Sequence, residues 1–270
     1  MSNGRLYRTE AIIMSRRDQG EADRVLRVCT PQGKVDVLAK GARKLRSRKA
    51  GHIELFSHSA LVLSRVPNYW DIVSQAETIE PHARLQSDLL RGTYARYAVE
   101  LLDRFFTEGE GGTAAFDLLG HTLTWLCESD DLDVAARFYE QHLLGLAGFR
   151  PELFRCVGRH AEQVPLRIGK LEGTQRPFGF APERGGALCP ECYEAERRVD
   201  DTMPLSPHAL QFLQACQRSS FTEVASLPVS ATVHQEAERL MHHYTRYHLE
   251  QDVRAAAFLK EIRRAKGAGR

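Results

Sequence analysis

The sequence predicts an α+β protein of several domains, in which a small β-barrel precedes a mainly α-helical body. Two patterns support this. Up to residue 80, short runs of alternating apolar and polar residues are separated by turn residues, which is typical of half-buried strands. After Pro81 the apolar residues recur every three to four positions, which is typical of amphipathic helices. With 270 residues, 43% of them hydrophobic, the chain can form two or three domains with buried cores.

The β-rich domain is predicted at residues 1–80. Turn signals separate its strands, with Pro31-Gln32-Gly33 after the second and Pro67-Asn68 after the fourth. Five short strands in about 80 residues favour a closed barrel, and the five-stranded OB-fold is the commonest barrel of this size. The five predicted strands are at residues 6–14, 22–30, 34–39, 59–66 and 70–79.

The rest of the chain is predicted to be mainly helical. Residues 81–152 should form a helical bundle, because apolar rows predict one long helix from 85 to 106 and two more at 116–127 and 132–149. Ser206-Pro207 is a good N-cap and first-turn pair, so a helix should begin there. With a further helix at 231–249 and a basic tail, residues 201–270 should form a C-terminal helical part that packs on the bundle.

Residues 153–200 lie between these helical parts and carry metal-binding side chains. Cys189 and Cys192 form a C-x-x-C pair, a spacing that lets two thiolates bind one tetrahedral zinc ion. Cys156 and His160 lie 33 and 29 residues before Cys189 and complete a set of four ligands. The segment is rich in proline and has little apolar periodicity, so it is predicted to be loop-like, and a bound metal would order it. We therefore predict a zinc-binding insertion with one structural ion.

The identity of the fourth ligand depends on proximity alone. A second C-x-x-C pair beginning at Cys156 would need a cysteine at position 159, which is Arg159, so His160 is expected to replace it. A catalytic alternative uses the same residues, because His160, Cys189 and Cys192 could bind a catalytic zinc with Glu162 as proton shuttle, as in zinc deaminases of nucleobases. The deaminase knuckle normally has proline before its first cysteine, whereas this chain has Leu188.

A strongly basic run follows the third predicted strand and therefore falls on a loop of the barrel. Its six cations, with no acid among them, are Lys40, Arg43, Lys44, Arg46, Arg48 and Lys49. Residues 1–80 carry 14 Lys and Arg against 9 Asp and Glu, so the local charge favours a polyanion more than the overall net charge of +2 suggests. A solvated charged loop is the plainer interpretation. Phe56, Tyr69 and Trp70 are candidates for stacking on bases, or else core residues.

Several classes of function lack their usual signals. The first ten residues are too polar for a secretory signal, and no run approaches the ~18 apolar residues of a membrane span. Six cysteines are too few for a disulfide scaffold in a chain of this length. Together these observations favour a soluble, intracellular protein. A G-x-x-x-x-G-K-S/T phosphate loop is absent from the sequence, as is a recognisable serine or cysteine nucleophile motif.

The N-terminal region resembles the RecO family, bacterial recombination-mediator proteins. The resemblance is carried by Gln19-Gly20-Glu21-Ala22-Asp23, by Thr30-Pro31-Gln32-Gly33-Lys34 and by Ala39-Lys40-Gly41-Ala42-Arg43-Lys44 with Ser47. The order of the later segments also agrees, including Gly185-Gly186-Ala187-Leu188 before the C-x-x-C pair. The chain departs from the family pattern at the first cysteine pair, where it has only Cys156.

The resemblance implies a non-enzymatic DNA repair and recombination protein in the cytoplasm, associated with the nucleoid. Such a protein binds single- and double-stranded DNA, anneals complementary strands, works with the RecR partner protein, and helps the recombinase load onto DNA coated by single-strand-binding protein. The cations from Lys40 to Lys49 would then contact phosphates. A protein-interaction module, with the basic loop binding acidic partner tails, stays open as a further alternative.

Overall fold

The computed structural model of the chain describes residues 5–160, 164–168, 176–197 and 201–268. Contacts group the chain into two compact units. The first unit contains Met1–Glu128 and Ala257–Arg270, and the second contains Ser129–Ala256. The finer division into four segments stays a prediction.

The first unit begins with a closed barrel of five strands, which confirms the predicted OB-type fold. The strand order is β1-β2-β3-β5-β4, and β4 pairs with β1 to close the barrel. All neighbouring strands are antiparallel except β3 and β5, which are parallel. The strands are β1 (Leu6–Gln19), β2 (Asp23–Thr30), β3 (Gly33–Ala39), β4 (His58–Ser64) and β5 (Asp71–Glu80).

The long first strand serves two neighbours. Its first half pairs with β4 and its second half pairs with β2, and the register shifts between Ile13 and Ser15. A bulge of this kind bends a strand and helps a sheet to close. Inward-pointing apolar residues from every strand fill the barrel, and Ala42 and Ile53 from the β3–β4 connection complete its core.

Three helices follow the barrel: α1 (Ala83–Ser87), α2 (Leu89–Phe105) and α3 (Gly112–Glu128). The single long helix predicted from residue 85 is therefore wrong. Asp88 has an extended backbone, and its side chain accepts hydrogen bonds from the N–H groups of Leu90 and Arg91, so it ends α1 and caps α2. At the turn, a Cβ on Gly92 would lie 2.5 Å from the Leu85 carbonyl oxygen, so the close packing of α1 on α2 needs glycine.

The second unit combines helices with a small antiparallel sheet. The sheet has the order β7-β6-β8. The elements of the second unit are α4 (Leu132–Leu146), β6 (Phe178–Ala181), β7 (Gly186–Leu188), α5 (Pro190–Glu196), β8 (Met203–Leu205), α6 (Pro207–Arg218), α7 (Phe221–Ala225) and α8 (Ala231–Leu249). A last helix, α9 (Arg254–Ala268), begins in this unit and continues into the first.

The predicted helix at 231–249 and the predicted N-cap at Ser206 are both confirmed. The Ser206 side chain accepts a hydrogen bond from Ala209 N–H at 3.2 Å. The expectation that 153–200 lacks regular structure is wrong in part, because this segment contains β6, β7 and α5. Strands of three and four residues are too short to show an alternating pattern in the sequence.

Candidate metal centre and nucleic-acid interface

The four predicted metal ligands lie together in the second unit. The thiol sulfurs of Cys156, Cys189 and Cys192 and a ring nitrogen of His160 all lie within 4.8 Å of one another. His160 Nε2 is 3.1 Å from Cys192 Sγ and 3.4 Å from Cys189 Sγ. Sulfurs around a tetrahedral zinc ion with Zn–S bonds of about 2.3 Å are separated by about 3.8 Å, so the cluster has the size of a zinc site.

Local structure fixes each ligand. Cys189 directly follows β7 and is the N-cap of α5, with Pro190 at the first helical position. Cys192 follows within the first turn of α5. The sulfurs of Cys189 and Cys192 therefore lie on the same side of this helix. The strand-like segment before His160 is held by Cys156 N–H donating to Val164 O at 2.7 Å and by Val157 N–H donating to Ala187 O at 3.0 Å.

Hydrogen bonds and burial suit a metal-bound thiolate at Cys156. Its sulfur accepts N–H bonds from Cys189 at 3.1 Å and Gly158 at 3.3 Å. A Cβ on Gly158 would lie 2.8 Å from Cys192 Cβ and 3.1 Å from Cys156 Sγ, so the backbone can approach the cluster only at a glycine. The absence of a side chain at Gly158 keeps the space between the sulfurs open.

The electrostatics of the cluster require a cation if the thiols are ionised. Burial raises the pKa of the Cys156 thiol. Burial and the neighbouring Cys156 and Cys189 raise the pKa of Cys192 to about 12. A divalent cation would reverse this, since it stabilises the thiolate form of each coordinating cysteine. The set of three thiolates and one imidazole is typical of structural zinc sites.

The geometry favours a closed coordination shell over a catalytic one. A zinc deaminase keeps one coordination position for water. Here Cys156 Sγ lies among the other three ligand atoms, so four protein ligands are available to the ion. Glu162, the proton shuttle of the deaminase alternative, lies outside the described residues.

A second titratable cluster in this unit was not predicted from the sequence. Oxygens of Asp131 and Asp133 and a ring nitrogen of His234 lie within 4.8 Å of one another. Asp131 accepts N–H bonds from Asp133 and Val134 at the start of α4, and its other oxygen is 3.1 Å from His234 Nε2. The cluster therefore joins the N-terminal turns of α4 and α8. No sequence signal links residues that are about a hundred positions apart.

The predicted basic residues lie on the connection between β3 and β4, as expected. Backbone bonds fix the start of this connection: Arg43 N–H donates to Ala22 O at 2.9 Å, and Gly41 N–H donates to Asp23 Oδ1 at 2.7 Å. We call Lys40 to Lys49 the basic loop. The buried Ala42 side chain, 2% exposed, anchors it to the barrel core.

The six cations of the basic loop are not equivalent. Arg43 Nε lies 3.3 Å from Asp18 Oδ2, and its NH1 group donates to Gly20 O at 3.1 Å. Lys49 Nζ donates to Val73 O at 2.8 Å, and burial lowers its pKa. The other four are exposed, and the described part of the chain offers them no ion-pair partner: Lys40, Lys44, Arg46 and Arg48.

Of the three candidate stacking residues, the structure excludes Phe56. Its side chain is 2% exposed, so it belongs to the core. Tyr69 is 55% exposed, and its ring centroid lies 5.3 Å from that of the half-buried Trp70. The Arg17 guanidinium lies 5.2 Å from the Trp70 ring centroid. Sequence reasoning did not identify Arg17, because nothing in the pattern of β1 shows that it reaches the β4–β5 loop.

No helix within the described ranges is long and apolar enough to cross a membrane. Two family models match the chain: Recombination protein O N terminal over residues 1–82 and Recombination protein O C terminal over residues 86–256.

Three similar proteins each bear the name DNA repair protein RecO. The one from Roseiflexus sp. is 41% identical over 259 residues, which are 96% of this chain and 87% of that protein. One from Dehalococcoides mccartyi is 32% identical over 260 residues, which are 96% of this chain and 97% of that protein. The one from Symbiobacterium thermophilum is 32% identical over 263 residues, which are 97% of this chain and 99% of that protein. Together with the barrel, the helical body and the Cys/His cluster, these matches show that the chain belongs to the RecO family of DNA repair proteins.

Proposed function

We propose that this protein is a mediator of DNA repair by recombination that acts by binding DNA and not by catalysis. It binds single- and double-stranded DNA, anneals complementary strands, and helps the recombinase load onto DNA coated by single-strand-binding protein, together with a RecR partner. It works in the cytoplasm at the nucleoid. The observation that carries the proposal is the basic loop, with four exposed cations that lack acidic partners among the described residues.

The basic loop is suited to phosphates and not to a particular sequence. Lys40, Lys44, Arg46 and Arg48 project from an anchored loop, and each is available for a salt-dependent contact to one phosphate. Phosphate contacts hold a strand while its base edges stay free. A complementary strand can then pair with the held one, so binding raises the local concentration of strands and leaves the pairing itself to the bases.

Aromatic residues beside the β4–β5 loop support binding of single strands. Tyr69 is exposed, and Trp70 carries the Arg17 guanidinium on its ring. Unstacked bases stack on such rings and on guanidinium planes, whereas bases within a duplex cannot. We propose that these side chains add affinity for single strands to the phosphate contacts of the basic loop.

The Cys/His cluster is proposed to hold one structural zinc ion. Cys156, His160, Cys189 and Cys192 would bind it. When bound, the ion would neutralise the thiolates and join the segment around Cys156 to β7 and α5. The closed ligand set supports a structural role, and no step of DNA binding is assigned to the ion.

The proposal is tested by titrating a labelled single strand at several salt concentrations. The variant Lys40→Ala/Lys44→Ala/Arg46→Ala/Arg48→Ala removes the four exposed cations. It should weaken binding and reduce the salt dependence, because each phosphate contact contributes about 0.7 to the slope of log affinity against log salt for single strands.

The control removes the same number of charges elsewhere: Arg96→Ala/Arg167→Ala/Arg239→Ala/Arg254→Ala. Its salt slope should stay close to that of the wild type. Equal slopes for the wild type and the basic-loop variant would contradict the assignment of the loop. Absence of binding by the wild type at low salt would contradict the proposed function itself.

A further inference from the structure

The three thiols of the Cys/His cluster differ in burial. Cys156 is 7% exposed and Cys189 is 8% exposed, whereas Cys192 is only half-buried. A cleft of about 510 Å³ opens beside α5. Within the described ranges, Cys192 lines this cleft and the other three ligands do not. A small molecule from solvent therefore reaches the Cys192 sulfur before it reaches the other two.

Hydrogen bonds add to this difference. The Cys156 sulfur accepts backbone N–H bonds from Gly158 at 3.3 Å and from Cys189 at 3.1 Å. An N–H bond stabilises a thiolate, and a more stabilised thiolate is a weaker nucleophile. Among the described residues, no backbone N–H group donates to Cys192 Sγ, whose nitrogen neighbour is His160 Nε2 at 3.1 Å. Cys156 is thus shielded by burial and by hydrogen bonds, Cys189 by burial, and Cys192 by neither.

The walls of the cleft suit a small neutral molecule. Arg184 NH1 lies 2.7 Å from Glu196 Oε2, so these two lining charges neutralise each other. Arg159 and Glu191 are exposed on the wall and carry opposite charges. A wall with balanced charge does not exclude an uncharged oxidant. The cleft therefore admits hydrogen peroxide to Cys192, and thiolate character with access to solvent is what makes a cysteine susceptible to oxidation.

Cys189 is placed to react with an oxidised Cys192. It is the N-cap of α5, and Cys192 lies in the first turn of the same helix. Their sulfurs lie within 4.8 Å of each other. A disulfide has an S–S distance of about 2.05 Å, so the two sulfurs need to approach by less than about 3 Å. C-x-x-C pairs also carry the reversible disulfide of thiol–disulfide oxidoreductases.

We propose that Cys192 is an oxidation site for hydrogen peroxide, and that the reaction ends in a Cys189–Cys192 disulfide that opens the metal centre. The Cys192 thiolate attacks one peroxide oxygen, so that an S–O bond forms, the O–O bond breaks and the other oxygen leaves as hydroxide. The Cys189 thiolate then attacks the Cys192 sulfur, so that the S–S bond forms and the remaining oxygen leaves as hydroxide. The two thiolates together lose two electrons, the peroxide gains them, and both hydroxides take protons from solvent to give water.

The disulfide leaves Cys156 and His160 as the two remaining ligands. Two protein ligands do not complete a tetrahedral shell, so the metal is released. Reduction of the disulfide restores all four ligands. This inference rests on the proposed structural zinc site and adds a redox response to it.

The test follows zinc release and disulfide formation together. Zinc-loaded wild-type protein is treated with hydrogen peroxide, release is followed with a chromophoric chelator, and free thiols are alkylated before peptide mass spectrometry. About one zinc ion per chain should be released as the Cys189–Cys192 disulfide forms, and dithiothreitol with added zinc should reverse both changes. Dimedone, which traps sulfenic acids, should label Cys192 first. It should not label the half-buried Cys127, because burial raises the pKa of that thiol and keeps it protonated.

Two variants test the place of attack. Cys192→His replaces the sulfur with another zinc ligand and should release zinc at least about tenfold more slowly. Ala195→Leu, on the wall of the cleft, changes no ligand. It should keep the zinc content and slow the release about threefold or more, because the larger side chain narrows the access to Cys192. Ala114→Leu, at an exposed position of α3, is the matched control and should release zinc at the wild-type rate.

First labelling at Cys156 or Cys189, a disulfide that includes Cys156, or an unchanged release rate in Ala195→Leu would each overturn the inference. If Cys192→His binds no zinc, Ala195→Leu decides the question. A wild type that purifies without zinc would contradict the proposed metal site instead, and dimedone labelling with disulfide mapping of the metal-free protein would still decide whether Cys192 is the oxidation site. None of these outcomes bears on DNA binding by the basic loop.

Discussion

The Lys34 ammonium group lies 2.7 Å from Asp103 Oδ1 and joins the start of β3 to the end of α2. The same nitrogen donates to Asp103 O at 2.6 Å and to Phe106 O at 2.7 Å. Carbonyl groups in the last turn of a helix lack partners within the helix, and a cation there also opposes the helix dipole. Lys34 is 8% exposed, so it acts as a buried C-terminal cap that fixes the barrel to α2.

Replacement of this lysine should destabilise the first unit. Lys34→Met keeps most of the side-chain volume but removes the donor to the carbonyls of Asp103 and Phe106, while the Asp103 carboxylate keeps its bonds from Arg27 NH1 at 3.2 Å. We expect a loss of about 2–3 kcal/mol in the free energy of unfolding, measured by urea denaturation, because hydrogen bonds to charged groups contribute this much when buried. Arg96→Met, at an exposed position of α2, should change stability by less than about 0.5 kcal/mol. Equal losses in the two variants would contradict the capping role.

Metal content should depend on the clustered cysteines alone. Purified protein should contain about one zinc ion per chain, and Cys192→Ser should reduce it to near zero, because three protein ligands no longer close the shell. Cys127→Ser changes a half-buried thiol outside the cluster and should leave the zinc content unchanged. The measurement is metal analysis after dialysis. Equal zinc in both variants would exclude the proposed ligand set.

The glycine beside the ligands allows a sharper test, because it changes no ligand atom. In Gly158→Ala the new methyl group would crowd Cys192 and Cys156 Sγ, and the N–H bond of residue 158 to Cys156 Sγ would be disturbed. We expect zinc affinity to fall about 10- to 100-fold, as measured by competition with a chromophoric chelator. Gly145→Ala, which meets only the Arg150 Cδ atom at 4.0 Å, is the matched control. Retention of full affinity in Gly158→Ala would show that the cluster does not close around an ion.

The sequence predicted those elements whose patterns are local and long enough to read. The fourth strand was predicted at residues 59–66 from an apolar run that ends at the Pro67-Asn68 turn, and in the structure burial alternates along β4 from His58 to Ser64. The helix α8 was predicted with its observed limits, and in the structure the Ser230 side chain caps its N-terminus by accepting from Val233 N–H. The C-x-x-C pair identified two metal ligands because that spacing has a direct geometric meaning.

Contacts between distant residues could not be predicted. Leu85 and Leu89 continue one apolar row, yet Leu85 is 2% exposed and Leu89 is 66% exposed, because Asp88 breaks the helix between them. Phe56 is an aromatic residue of a kind that can stack on a base, but its side chain is buried, so it is a core residue. Its backbone has a positive φ of 69°, which the sequence does not indicate. The contact of the Arg65 guanidinium with the Tyr7 ring depends on the closure of the barrel, which brings β1 beside β4.

Stability of the second unit should depend on pH through His234. The Asp131 hydrogen bond raises the pKa of His234, although burial opposes this. The pKa of His234 in the folded protein is therefore above the unfolded value of about 6.5. The stabilisation from the His234–Asp131 pair is fully present below pH ~6.5 and is lost as pH rises through the folded pKa.

His234→Gln should therefore cost more stability at pH 5.5 than at pH 8.5, by up to about 1 kcal/mol for a partly exposed pair. Urea denaturation of both proteins at the two pH values measures this difference. A cost that is larger at the higher pH would show that neutral His234 makes the important contact.

The six cations of the basic loop should contribute unequally to DNA binding. Lys44 is exposed and has no ion-pair partner in the described chain, whereas Arg43 is already paired with Asp18 and Lys49 is bound to Val73 O. Lys44→Ala should reduce the salt slope by about 0.7, the value for one phosphate contact of a single strand, and leave stability unchanged. Lys49→Ala should instead lower the free energy of unfolding by about 1 kcal/mol, because it leaves a carbonyl of β5 without its donor, and should change the salt slope little. Arg43→Ala should be intermediate between these two variants in both its salt slope and its free energy of unfolding.

Salt titrations and urea denaturation of the three variants measure both quantities. Equal salt slopes in all three would show that DNA binding rearranges the loop and releases Arg43 and Lys49 from the barrel.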